Sequence, residues 1–138
     1  MVDSLRAVPL FAELSTRDLK KLAASMTEMS FEPGQGVVSQ GKSGVGFFVI
    51  LDGRAKVSQD GEERGVLGPG DYFGEMALID GDDRAASVHA DGELRCAAMT
   101  AWSFRPFVKD HPDIAWALLT ALVKRVREAQ ARQTVPAG

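Results

Sequence analysis

Residues 73–88 read FGEMALIDGDDRAASV and gather the side chains with the most chemistry to offer: Glu75, Arg84 nine positions later, and several small residues around them. Arginine presents a planar fork that donates two parallel hydrogen bonds to phosphate oxygens, which lysine cannot reproduce. Glu75-Met76-Ala77-Leu78-Ile79 is a run of acceptable helix formers directly after Gly74, closed by Asp80-Gly81. One short helix is expected there, and its first N–H groups would lack intrahelical partners and sit at the positive end of the dipole. Ala77, Ala85 and Ala86 would let an anion reach main-chain N–H groups, while Gly74 allows close approach and frees φ. A carboxylate is poorly suited to face a phosphate, so the expected partner of Glu75 is a hydroxyl donor such as a ribose 2′-OH, with Arg84 also able to pair with it. A sugar phosphate is the ligand class this spacing suggests. The same residues also fit a plainer arrangement, in which Glu75 caps a turn, Arg84 pairs with Asp82 or Asp83 at the surface, and the alanines pack.

Such a segment needs a rigid frame. Ser15 followed by Asp18 resembles a capping box with the shorter acid, and Leu19, Leu22, Ala23 and Met26 recur at helical spacing, predicting a short N-terminal helix. Beyond Met26 come the turn signals Pro33-Gly34, Asp52-Gly53, Asp60-Gly61, Gly68-Pro69-Gly70-Asp71, Asp80-Gly81 and Asp91-Gly92, from Asp52-Gly53 onward at intervals of roughly eight to twelve residues, the rhythm of an antiparallel sandwich or barrel. GFFVIL (46–51), RAKVSQ (54–59) and ASVHA (86–90) lie between them as strands, and Asp52-Gly53 and Asp60-Gly61 fit tight primed hairpin turns. After about residue 100 the pattern returns to helix. Ala101 to Val108 can form one, and Pro112 is placed to open a longer one with Ile114, Leu118, Leu122 and Val126 on one stripe. Lys124, Arg125, Arg127 and Arg132 collect near its end, where the dipole favours cations; a solvated face is their plain reading.

Composition narrows the function. A chain of 138 residues, 45% hydrophobic and 25% charged, fits one folded domain, 1–138. Its net charge of −3 argues against a dedicated nucleic-acid binder, so any anion must be held locally. Cys96 is the lone cysteine, no export signal opens the chain, and no apolar run reaches membrane-spanning length, so a cytoplasmic setting without membrane contact is expected. His89 and His111 stand far apart without a metal-ligand motif, and neither Ser87 nor Cys96 has a suggested base, so the chain is read as non-enzymatic, with no catalytic residues, metal or cofactor.

FGEMALIDGDDRAASV closely resembles the phosphate-binding cassette of cyclic nucleotide-binding domains, whose usual form is F-G-E-(L/I)-A-L, a variable loop, then R-(A/S/T)-A-(T/S)-V. PLFAELSTRDLKKLAASM is similar to that family's N-terminal helical segment, VVSQGKSGVGFFVILDGRAKVS to its early paired strands, and GVLGPGDYFGE to the approach to the cassette. The resemblance, of the catabolite activator and protein kinase A regulatory subunit type, runs from about residue 8 to about residue 128. It implies a mainly β fold with flanking helices: an antiparallel, jelly-roll-like β-roll over 27–100, a helical segment over 1–26, and hinge and lid helices over 101–132. It implies a binding set of Phe73, Gly74, Glu75, Met76, Ala77, Arg84, Ala85, Ala86 and Ser87. Within it Arg84 and the N–H groups of Ala77 and Ala85 meet a cyclic phosphate, and Glu75 meets the ribose 2′-OH.

In the family a hydroxyl residue after the arginine helps to recognise guanine; Ala85 stands there, which favours cAMP over cGMP. Asp83 occupies the place where many members have proline, and with Asp80 and Asp82 it should weaken anion binding somewhat. Leu119, Leu122, Val123, Val126, Arg125 and Arg127 are candidates to cover the base, while Phe104 and Phe107, with Trp102, are candidates for a hinge or for static core. The last helix is also a candidate surface for a second copy or an effector protein. Regulators of the catabolite activator type continue into a helix-turn-helix module of roughly 60 to 80 residues. This sequence stops at Gly138, so direct nucleic-acid contact is not expected of it. The rival reading is a degenerate member that keeps the fold as an interaction module, or a fragment of a larger regulator, channel or enzyme.

Overall fold

The computed structural model describes residues 1–38, 41, 46–75, 79 and 86–132. The chain opens with α1 (Val2–Arg6), a 3-10 turn (Pro9–Phe11) and α2 (Thr16–Ala24). Ser15 caps α2 as its sequence promises, its hydroxyl accepting the Asp18 N–H at 3.1 Å, while the Asp18 carboxylate turns towards His111. Leu19 and Leu22 form the buried stripe of this helix.

Eight strands come next among the described residues: β1 (Thr27–Phe31), β2 (Gly36–Val38), β3 (Gly46–Asp52), β4 (Ala55–Gln59), β5 (Glu62–Leu67), β6 (Tyr72–Phe73), β7 (Ser87–Ala90) and β8 (Leu94–Thr100). They form two antiparallel sheets, ordered β1-β8-β3-β6 and β2-β7-β4-β5. The turn at Asp60-Gly61 joins β4 to β5 as a hairpin with φ of 54° and 79°, both left-handed as a type I′ turn requires.

The hairpin expected at Asp52-Gly53 does not form. Strand β3 pairs with β8 and β6 in one sheet and β4 with β5 and β7 in the other, so Asp52-Gly53 is a corner where the chain changes sheets. Gly53 adopts φ +86°, and a Cβ there would run into the Glu93 carbonyl oxygen, so close backbone approach demands glycine at this corner. The pairing register of β3 on β8 slips between Ile50 and Asp52, just before that corner.

Strand β3 divides the interior because both of its faces are covered. Phe48 and Ile50 turn inward with Phe31, Phe73, Leu94 and Cys96 and meet Ala55, Val88 and Ala90 of the opposite sheet. Phe47 and Val49 turn outward with Ala97 and Met99 and pack against Leu5, Leu10, Leu19, Leu22, Phe104, Ile114 and Leu118 of the helices. Burying a phenylalanine contributes about 1.5–3 kcal/mol, so successive residues of one strand hold the roll and the helices to the same sheet.

Helices α3 (Ala101–Asp110) and α4 (Pro112–Arg132) close the described chain, with Pro112 at the expected first position. The predicted stripe of α4 is only partly realised. Ile114 and Leu118 are buried and Leu122 is half-buried, but Val126 is 56% exposed, as are Trp116, Leu119 and Val123 to similar or greater extent. One face of α4 therefore packs on the body through Ile114 and Leu118, while an apolar stripe of Trp116, Leu119, Val123 and Val126 stays uncovered.

Candidate functional site

The short strand β6 carries the chain into the site. It pairs with β3 through Phe48↔Phe73 and Val49↔Tyr72, and the Phe48 and Phe73 rings stack at 5.1 Å with a 10° interplanar angle. That contact fixes Phe73 in the inner core and aims the next residues along the rim. Gly74 comes next with φ +95°, a conformation that side-chain-bearing residues rarely adopt. Glu75 then enters a helical conformation, which Ile79 also has. Glycine at 74 and a helical glutamate at 75 match the sequence-based expectation for this segment.

Glu75 is only 2% exposed, the one charged side chain among the described residues to be so deeply buried. An ionised carboxylate in such a place needs a partner, because desolvation penalises it heavily. Arg125 of α4 supplies one, donating from Nη1 to Oε1 of Glu75 at 3.0 Å across fifty positions of sequence. The arginine is itself half-exposed, so its charge stays partly hydrated while it neutralises the buried acid. Tyr72 lies within the electrostatic reach of both. Burial raises its phenol above the usual range, the Glu75 carboxylate raises it further, and the Arg125 guanidinium works against them.

Sequence reasoning places Arg125 among several candidates to cover a base and leaves the cations of α4 to solvent. The signal is nevertheless present in the spacing: 114, 118, 122 and 125 succeed one another by four, four and three, so Arg125 continues the core-facing stripe where an apolar residue would be expected. Val126, expected on that stripe instead, faces outward. Tyr72 carries no motif that singles it out.

The remaining expected site residues divide in two. Ala86, at a bend, and Ser87, opening β7 opposite Ser58, are half-buried at the entrance of the strand that leads away from the segment. Met76, Ala77, Arg84 and Ala85, with Asp80, Asp82 and Asp83, lie outside the described residues. Of the hinge candidates, Phe104 is buried and stacks on Phe47 at 4.8 Å, Phe107 stacks on His111 at 4.2 Å, and Trp102 is 72% exposed and belongs to no core.

His89 is a half-buried strand residue opposite Lys56, His111 sits at the α3–α4 corner, and no group of three metal-ligating side chains occurs among the described residues. Cys96 is fully buried, and burial pushes its thiol up to about 12, leaving it without nucleophilic character at neutral pH. An open cleft of about 490 Å³ lies away from this region, lined by Ser30, Phe31, Leu94 and Arg95 together with Glu32, Asp52 and Glu93. Its carboxylates make it unsuited to an anion. No helix of the described residues is long and apolar enough to cross a membrane.

Two antiparallel sheets rolled around an inner core, with helices on one outer face and a buried glutamate paired to an arginine of the last helix, define a β-roll domain. The cyclic nucleotide-binding domain model matches residues 28–111, more than half of the chain, and the chain belongs to that family. It is 41% identical over 109 residues to a cAMP-dependent protein kinase regulatory subunit from Mycosarcoma maydis, covering 72% of this chain and 21% of that relative. The chain thus spans about a fifth of the length of that curated relative.

Among solved structures, the catabolite activator protein of Thermus thermophilus superposes with a TM-score of 0.83 at 27% identity, covering 91% of this chain and 61% of that one. The N-terminal domain of a transcriptional regulator from Streptomyces coelicolor A3(2) superposes with a TM-score of 0.71 at 32% identity over 98% of each chain. The likeness to this last domain runs almost end to end.

Proposed function

We propose that this chain is a non-catalytic sensor of a cyclic nucleotide, with cAMP favoured over cGMP, and that occupancy of the roll is reported by the position of α4. The observation that carries the reading is the Arg125–Glu75 pair. A buried carboxylate at the site and a cation on the terminal helix form one contact, so a ligand that engages Glu75 acts on the group that holds α4.

In this reading the ribose 2′-OH donates to the Glu75 carboxylate, one oxygen of which also accepts from Arg125. Arg84 and the N–H groups of Ala77 and Ala85 receive the cyclic phosphate, with Met76, Ala86 and Ser87 completing the wall and Gly74 allowing close approach. The absence of a hydroxyl at Ala85 supports the preference for cAMP, as does the name of the regulatory subunit relative. The nucleotide shifts α4 only by the difference in its affinity for the two positions of that helix. Residues 1–138 act as a single domain in this scheme, and the uncovered face of α4 is where a second copy or an effector protein reads the change.

Thermal unfolding with cAMP, cGMP and a linear nucleotide tests the reading. At a hundredfold excess over its dissociation constant, a ligand bound only by the folded state adds about 2.7 kcal/mol. For a domain of this size that raises the midpoint by on the order of 10 °C. The expected order is cAMP above cGMP, with no shift from the linear nucleotide. No shift from either cyclic nucleotide would favour the degenerate reading, in which Arg125 holds Glu75 permanently and the roll serves only as an interaction module.

A further inference from the structure

Helix α4 is held at two places that differ in kind. Far along the helix Arg125 reaches Glu75, and at its beginning the α3–α4 corner is fastened to the N-terminal helices. The fastening has an apolar part, Ile114 and Leu118 packed in one cluster with Leu10, Phe11, Leu19 and Leu22. It also has a polar part. The His111 ring stacks on Phe107 at 4.2 Å and places Nδ1 2.8 Å from the Phe107 carbonyl oxygen. A carbonyl only accepts, so Nδ1 carries a proton; Nε2 faces Asp18 Oδ2 of α2 at 3.5 Å, a contact that attracts when Nε2 is protonated as well and the ring is an imidazolium donating from both nitrogens. Both partners are well covered, His111 with 17% and Asp18 with 32% of the side chain exposed.

We propose that Asp18 and His111 form a tether between α2 and the α3–α4 corner, through which the N-terminal helices set where α4, and with it Arg125, lies over the site. Arg125 stands fourteen residues beyond His111, so the lever arm is about 21 Å at helical rise. A small rotation at the corner becomes a displacement of ångströms at the guanidinium. An apolar clamp alone would permit sliding. A ring locked by its own stack and hydrogen bond, facing a carboxylate on a capped helix, fixes the angle. Asp18 is well placed for this because its N–H is held by Ser15, which orients the first turn of α2. In the sequence alone Asp18 reads only as part of a cap and His111 only as an unpaired histidine.

The tether rests on the proposed sensing role for its consequence at the ligand, but not for its existence, and a double-mutant cycle on the full chain separates the two. Asp18→Asn, His111→Gln and the double variant are compared by amide hydrogen exchange over residues 104–126 and by cAMP titration. Each single change is expected to speed exchange at the corner and around Arg125 several-fold and to change cAMP affinity in step. The double variant should go no further than the more affected single one, because both remove the same contact. Strictly additive effects, or exchange unchanged in both single variants, would overturn the tether. If the wild-type chain binds no cAMP, the sensing role falls while the exchange measurement still decides the tether.

Discussion

At the scale of single residues, two arginines are assigned opposite kinds of work, and substitution tells them apart. Arg125 neutralises a carboxylate that is 2% exposed, so Arg125→Met leaves Glu75 charged and buried without its partner. The expected cost is about 1–3 kcal/mol of stability in the absence of any ligand, towards the lower end because the arginine itself is half-exposed. Chemical denaturation reads this directly, and adding Glu75→Gln should recover part of the loss by removing the stranded charge. Arg84 belongs to the proposed phosphate contact. Arg84→Ala is expected to leave the midpoint without ligand nearly unchanged and to abolish most of the cAMP-induced shift. A variant that kept the full shift would remove Arg84 from the site, and unchanged stability in Arg125→Met would mean the buried pair contributes nothing. The left-handed backbone at Gly74 and the helical start at Glu75 were legible because glycine takes that φ readily and helix formers follow it. Arg125 was not, because its role depends on which face of α4 meets the roll, and that is set by packing fifty positions away.

At the scale of elements, the sequence specified local geometry well and pairing less well. The cap at Ser15, the start of α4 at Pro112 and the type I′ turn at Asp60-Gly61 depend on neighbours in the chain, and each forms as expected. Asp52-Gly53 carries an equally good hairpin signature but serves as a corner, since the pairing on either side of it is decided by strands β7 and β8 from late in the sequence. The two glycines therefore differ in consequence. Gly61 has φ +79° and open space around it, so Gly61→Ala costs only the left-handed penalty of about 1 kcal/mol. Gly53 has φ +86° and the Glu93 carbonyl where a Cβ would go, so Gly53→Ala adds a clash that separates β3 from the start of β8. Its expected cost is about 3 kcal/mol or more. Denaturation midpoints of the two variants decide the matter, and equal losses would contradict the corner.

At the scale of the whole molecule, the question is whether roll and helices unfold together. Strand β3 argues that they do: Phe47 and Val49 belong to the helical core, Phe48 and Ile50 to the core of the roll, and β8 repeats the division with Ala97 and Met99 against Cys96. Removing the helices would expose one face of the very strands that hold the roll, so neither core can be lost while the other stays intact. This two-sided burial was visible in the run GFFVIL, which lacks the alternation of a half-wet strand. The cover over each face was not, since periodicity within a strand does not distinguish a sheet from a helix as its neighbour.

Cys96 offers a probe of the roll that is blind to the helices. Its burial and its thiol, raised to about 12, make it inert to disulfide reagents until the inner core opens. The same shift has an alkaline consequence. From about pH 9 upward an unfolded chain would ionise this thiol while the folded one does not, so the stability that burial lends to the neutral form is intact below pH 9 and falls between about 9 and 12. At pH 8, where that loss has not begun, Cys96 labelling should track the equilibrium population of unfolded molecules. Its midpoint in urea should coincide with that of the helical circular dichroism signal. Labelling that ran ahead of, or behind, the loss of helix would show two units unfolding in turn, and α4 could then no longer be treated as part of the same cooperative body as the roll.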